Sequence, residues 1–176
     1  FSSRLVFFNL EFNSLKDSHL TRMLNQNSDL ARYKTAFVRM RAMKPYQLND
    51  DLENFLHQQS VVGAAAWNKL FDETISALKF DFNNEELSLE EILHKLNDNN
   101  RVIRKEAAES LSFVLNKNIN LFSRITNTLI KEKSIEDKWR KFPTPQSSRH
   151  LANDVEPEVV DALRNAVVNS YSNTSH

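Results

Sequence analysis

Histidine and carboxylate residues are the first candidates for chemistry, because together they bind metal ions and move protons. The chain has five histidines. Glu91 and His94 are three residues apart and share a helical face, which is half of the motif that holds two metal ions in helix bundles. The nearest second half, Glu53 and His57, has a four-residue spacing that does not fit that motif. We interpret these positions as solvated helix faces and predict no metal ligand in this chain.

The motifs of a self-sufficient hydrolase are absent from the sequence. No His is followed directly by Glu, so the zinc-peptidase signature H-E-x-x-H does not occur. The chain has no cysteine and only one glycine. These counts exclude a Cys nucleophile, a disulfide, thiolate metal ligands and the G-x-S-x-G turn of serine hydrolases. We therefore predict no catalytic residue in this chain.

A run of five cations contains no acidic residue: Arg32, Lys34, Arg39, Arg41 and Lys44. In a helix Arg32 and Arg39 share one face while Lys34 and Arg41 point elsewhere, so the basic surface is divided. The whole chain has 23 Lys plus Arg and 23 Asp plus Glu, which leaves no surplus positive charge for nucleic acid or anionic membranes. We expect neither as a partner. Arg39 or Arg41 is instead the candidate to bind the carboxylate of a peptide or of a partner domain.

The composition favours helices joined by polar turns. One Gly and four Pro are too few for the turns of β-sandwiches and barrels. Apolar residues recur at helical spacing along most of the chain, which predicts an all-α, multi-helix domain. Residues 78–89 alternate around Asn83-Asn84 and fit one short β-hairpin, although the turn lacks a Gly. Ser88 and Glu91 fit a capping box for the following helix.

The C-terminal third contains a break and a last helix. Residues 131–149 lose the helical pattern and are interpreted as an ordered loop or a linker. Pro157 suits the first turn of a helix. Because the chain begins at Phe1 instead of Met and ends soon after this helix, we expect a piece of a longer polypeptide. No stretch approaches the roughly 18 apolar residues of a membrane span, and charges interrupt any signal-peptide core, which predicts a cytoplasmic protein.

Several segments, taken together in their order and spacing, resemble the N-terminal region of the oligoendopeptidase F family, zinc metallopeptidases related to thimet oligopeptidase. They cover about residues 5–170. The segments are Arg41-Ala42-Met43-Lys44-Pro45, Leu48-Asn49-Asp50-Asp51-Leu52-Glu53, Gly63-Ala64-Ala65-Ala66-Trp67, Leu70-Phe71-Asp72-Glu73, Val102-Ile103-Arg104-Lys105-Glu106-Ala107-Ala108, Trp139-Arg140-Lys141-Phe142, Arg149-His150-Leu151-Ala152-Asn153 and Val159-Val160-Asp161-Ala162-Leu163.

The resemblance implies an α-helical N-terminal domain that closes one side of a deep channel over a catalytic domain. It assigns residues 1–155 to this lid or channel-wall domain and residues 156–176 to the first helix of a truncated catalytic domain. In that family zinc is held by the two His of H-E-x-x-H and a later Glu, while the Glu of the motif activates the bound water. The resemblance therefore places the zinc site of the full-length parent beyond His176, with no cofactor in this fragment.

The leading prediction is the N-terminal fragment of a cytosolic zinc-dependent oligopeptidase that hydrolyses short peptides. The fragment forms one side of the substrate channel and has no activity alone, and its partners are peptide substrates and the missing catalytic domain. One alternative is a non-catalytic helical adaptor domain that binds a partner helix in an apolar groove. A metal-binding helix bundle is a third alternative.

Overall fold

A computed structural model describes residues 6–174, without the side chains of Val6 and Thr174. The outer limits of the two predicted domains and the fifth histidine, His176, lie outside the described residues. The helices are α1 (Val6–Ser14), α2 (Asp17–Gln26), α3 (Ser28–Ala31), α4 (Lys34–Arg41), α5 (Asp50–Gln59), α6 (Ala64–Ala77), α7 (Leu89–Lys95), α8 (Arg101–Lys117), α9 (Ile119–Arg140), α10 (Ser147–Asn153) and α11 (Pro157–Thr174). A 3₁₀ turn covers Lys44–Tyr46, and strands β1 (Phe80–Phe82) and β2 (Glu85–Leu87) form one antiparallel pair.

The chain divides into two compact units. The first unit consists of Phe1–His57 with Ser134–His176, and the second unit is Gln58–Lys133. Both divisions fall inside a helix, one in α5 and the other in α9.

The core of the second unit is built around the hairpin. Because side chains alternate along a strand, Phe80 and Phe82 lie on the same face of β1, opposite Asp81. That face packs with Leu87, Ile92 and Ala107, and Phe80 and Ile92 are completely buried. The predicted capping box is present at the start of α7: the Glu91 N–H donates to the Ser88 hydroxyl, and the Ser88 N–H donates to the Glu91 carboxylate.

The single glycine, Gly63, precedes α6 in the second unit. A Cβ placed on Gly63 would lie 2.3 Å from Glu132 Oε1, and that same oxygen accepts the Ala64 N–H at 3.1 Å. The carboxylate of α9 thus satisfies a free N–H group in the first turn of α6. The absence of a side chain at Gly63 is what allows this approach.

Contacts of α1 with α4, and with the segment that follows α4, hold part of the first unit together. The rings of Phe12 and Phe37 lie 5.4 Å apart, and Leu10 and Asn13 are buried. Asn13 Nδ2 donates to Gln47 Oε1 at 2.7 Å. These contacts fix α1 against α4 and the segment that follows α4.

The all-α class with one short hairpin is confirmed. The interpretation of residues 131–149 as a loop or linker is wrong, because α9 continues to Arg140 and α10 begins at Ser147. Lys and Glu are good helix formers, and Arg140 gains buried partners that a sequence pattern does not contain. The boundary at residues 155/156 stays a prediction. Among residues 6–174, no helix combines the length and the apolar run needed to cross a membrane.

Candidate functional site

Arg39 lies on the exposed side of α4. Its Nε and Nη2 atoms both contact Asp154 Oδ2 at 2.7 Å, and the Arg39 side chain remains 61% exposed. Asp154 follows α10 in the left-handed conformation, with φ of 53°. Among the described residues, the guanidinium therefore has one carboxylate partner, in a solvent-exposed ion pair of the kind that contributes little to stability.

Arg41, two residues further along, has a different environment. Its side chain is only 9% exposed, and its guanidinium donates to the carbonyl oxygens of Phe12 and Leu15 at the end of α1. It also forms an ion pair with Asp17 at 2.8 Å, and it lies over the Phe12 ring. Lys44 donates to the same Leu15 carbonyl at 3.0 Å. Because cations satisfy the free carbonyls at a helix C-terminus, these two residues stabilise the end of α1.

The structure thus does not bring Arg39 and Arg41 to one site. The two residues point to different sides of α4, and their partners are different parts of the first unit. A carboxylate ligand can reach Arg39 by competing with a single surface partner, Asp154. The same ligand would have to displace two backbone carbonyls and Asp17 to bind Arg41.

One cluster of charged groups in the first unit was not predicted. Arg140, at the end of α9, forms a bidentate pair with Glu53 of α5, at 2.6 and 2.9 Å. Its Nε donates to Glu136 at 2.6 Å, and its Nη1 donates to the Tyr46 carbonyl at 3.2 Å. Glu53 also accepts the Leu48 N–H at 2.8 Å. One guanidinium thereby joins α5, α9 and the segment between α4 and α5.

Burial and hydrogen bonding oppose each other in this cluster. The side chains of Arg140 and Glu53 are 9% and 15% exposed. Burial alone would raise the pKa of Glu53, but the hydrogen bonds from Arg140 and Leu48, with the charge of Arg140, lower it overall. The hydrogen bond to Glu53 raises the pKa of Arg140. Both groups are therefore held in their charged forms, and the arrangement is that of a structural ion pair.

The two carboxylates considered as metal ligands are engaged in other contacts. The Glu91 carboxylate accepts hydrogen bonds from the Ser88 N–H and the Ser88 hydroxyl. Both bonds lower the pKa of Glu91, and the backbone N–H has the larger effect. The Glu53 carboxylate is bound to Arg140. Glu91 and His94 line a groove of about 630 Å³ beside the hairpin. Among residues 6–174, no group of three or more His, Asp or Glu side chains is placed to hold a metal ion.

The sequence marks the two members of the Arg140 cluster separately but gives no sign that they pair. Glu53 and Arg140 both belong to segments that resemble the peptidase family, but they are 87 residues apart, and no periodic pattern joins them. Glu53 also fits a simpler role as an acidic residue in the first turn of α5. The pairing of Glu53 with Arg140 is therefore known from the structure and not from the sequence.

Comparisons with known proteins agree with the resemblance. The family model described as Oligopeptidase F matches residues 11–80. No curated protein sequence matches the chain. The crystal structure of oligoendopeptidase-F from Enterococcus faecium has a similar fold, with a TM-score of 0.80, 20% sequence identity and coverage of 94% of this chain.

The aligned part is 34% of that oligoendopeptidase-F chain, so the present chain spans about a third of its length. The structural match at this identity concerns the fold, and the family model supplies the match in sequence. The predicted resemblance to the N-terminal region of the oligoendopeptidase F family is therefore confirmed.

Proposed function

We propose that this chain is the N-terminal region of a zinc-dependent oligopeptidase that hydrolyses short peptides in the cytosol. The observation that carries the proposal is the fold shared with oligoendopeptidase-F over 94% of the chain, together with the sequence match over residues 11–80. In this proposal residues 1–155 form one side of the substrate channel. Residues 156–176 form the first helix of the catalytic part.

The zinc site belongs to another part of the polypeptide in this proposal. The described residues do not fit a zinc ion, since they offer no set of ligands for one. The role of this chain is to bind and confine the peptide. Bond cleavage is assigned to residues beyond His176.

Arg39 and Arg41 are the proposed binding residues for a peptide carboxylate, and the contacts separate their roles. Arg39 is exposed and forms an ion pair with Asp154 at the surface, so a peptide carboxylate can replace Asp154 without disturbing the backbone. Arg41 is buried against the end of α1, so a substitution there also affects folding. The proposal is therefore best tested at Arg39.

The first experiment reads the coding sequence beyond His176 and assays its product. We expect H-E-x-x-H in the continuation, and cleavage of an internally quenched short peptide by the full-length protein. A chelator should abolish cleavage and added Zn²⁺ should restore it, while the 176-residue chain alone should be inactive. A continuation that lacks the motif, with no cleavage, would contradict the proposal and favour the helical adaptor domain.

A further inference from the structure

The last helix of the first unit, α11, is almost uncovered along its length. From residue 157 to residue 169, Val160 alone is half-buried and all the other residues are exposed. Val159, Leu163 and Val167 are 54%, 66% and 45% exposed. Because these three residues are spaced four apart, they form one continuous apolar stripe on the helix.

The sequence of α11 gives this helix little stability of its own. Its second half is Ala166-Val167-Val168-Asn169-Ser170-Tyr171-Ser172-Asn173, in which β-branched and short polar residues have low helix propensity. Most helices in proteins depend on packing of an apolar face, and isolated helices are only marginally stable in water. A helix with this composition and an uncovered apolar stripe needs a surface to pack against.

The opposite side of α11 is suited to water. Glu158, Asp161, Asn165 and Asn169 lie away from the stripe and are exposed. The helix is therefore amphipathic in the ordinary sense, with one side for solvent and the other for a partner. Within the described residues, no part of the first unit covers Leu163, whose side chain is two-thirds exposed.

We propose that the stripe Val159–Leu163–Val167 is a docking face for an amphipathic helix from the catalytic part of the same polypeptide. The proposal rests on the proposed function. It is supported by the comparison, in which about two thirds of the matched oligoendopeptidase-F lies outside the region shared with this chain. An apolar, uncharged stripe fits a helix packed permanently within one chain better than a partner that must remain dissolved when it dissociates.

The test compares Leu163→Glu with Asn165→Glu, which adds the same charge on the opposite side of the same helix. In the polypeptide that continues beyond His176, Leu163→Glu should lower the denaturant midpoint and Asn165→Glu should not. In the 176-residue chain neither change should have a measurable effect, because both side chains are exposed there. Equal midpoints for the two variants in the longer polypeptide would overturn the proposal.

Hydrogen exchange of the unmutated proteins provides a second measurement that does not depend on whether Leu163→Glu folds. The amides of residues 160–173 should exchange more slowly by about 100-fold or more in the longer polypeptide than in the 176-residue chain. Equal exchange rates would contradict docking. A concentration-dependent dimer of the 176-residue chain that Leu163→Glu dissociates would also contradict it, since a second copy would then be the occupant.

Peptidase activity separates failure of this inference from failure of the proposed function. An active peptidase in which Leu163→Glu and Asn165→Glu behave alike overturns the docking face and leaves the function in place. A longer polypeptide with no peptidase activity, in which Leu163→Glu alone is destabilising, supports the docking face and overturns the function.

Discussion

Arg39 and Arg41 stand two residues apart in α4, and this spacing places their side chains on different sides of the helix. The division of the basic run was predictable from the sequence for that reason. The partners of the two residues were not, since Asp154 is 115 residues from Arg39 and the carbonyl oxygens of Phe12 and Leu15 carry no sequence signal.

The proposed role of Arg39 is tested by Arg39→Met in the full-length polypeptide. The substitution removes the charge and keeps an apolar stem. We expect KM for short peptides to rise about 1.4- to fivefold with kcat unchanged, because an exposed charged contact contributes about 0.2–1 kcal/mol. Lys34→Met, on the same helix, is the matched control and should leave KM unchanged. Identical KM values for Arg39→Met and wild type would reject carboxylate binding by Arg39.

At Gly63 the addition of a single methyl group should lower the stability of the protein. Gly63→Ala puts a methyl group 2.3 Å from Glu132 Oε1, so the carboxylate must move and the Ala64 N–H loses its acceptor. We expect a loss of about 1–2 kcal/mol in the free energy of unfolding, as for a lost helix cap. In a Glu132→Ala background the same change should cost less, because the nearest obstruction is gone and Gln59 Nε2, at 2.9 Å, is what remains close. Equal costs in the two backgrounds would contradict this account.

At the scale of elements, Arg140 of α9 joins that helix to α5 within the first unit, through its bonds to Glu53. Arg140→Met leaves the Glu53 carboxylate with 15% exposure and no cation. We expect a loss of about 2–4 kcal/mol, somewhat below the cost at a fully buried pair because both side chains keep some contact with water. Arg149→Met on α10 is an exposed control that should change stability by less than about 0.5 kcal/mol. Similar unfolding midpoints for the two variants would show that the cluster is dispensable.

The same cluster should make the chain sensitive to acid. The pKa of Glu53 in the folded state is lower than its ordinary value of 4.5, so the unfolded chain takes up a proton first as the pH falls. The contribution of Glu53 is complete above pH 4.5 and is lost progressively below it, as the pH approaches the lowered pKa. Glu53→Gln should flatten the fall of unfolding free energy in that range, measured by denaturant titration at successive pH values. Parallel acid limbs in the two proteins would contradict the assignment.

The hairpin and the end of α9 show how far local sequence patterns predict structure. The alternation of residues 78–82 predicts a strand, and the structure supplies the turn with Asn83 and Asn84, both at positive φ. Asn tolerates the left-handed conformation, so the missing Gly is not an obstacle. The end of α9 was not predictable in this way. Arg140 is held by Glu53, and the spacing of apolar residues near Lys131 gives no information about that distant partner.

At the scale of the whole chain, full burial is concentrated in one place. Phe80, Ile92 and Ala107, the described side chains with 0% exposure, all belong to the core of the second unit. The described part of the first unit has Leu10 and Asn13 as its buried residues and depends more on ion pairs and caps. Desolvation offsets much of the attraction in partly buried ion pairs, so they contribute less to net stability than apolar burial does.

This distribution predicts an order of opening in the 176-residue chain. The amides of β1, β2, α7 and the middle of α8 should exchange most slowly with deuterium, because opening them exposes the core around Phe80. The amides of α11 should exchange fastest among the longer helices, since that helix is covered only near Val160 and Ser170. Peptide-level exchange at neutral pH, read by mass spectrometry, measures both. Slower exchange in α1 or α4 than in α7 would mean that the bonds of Arg41 and Arg140 stabilise the first unit more than apolar burial stabilises the second.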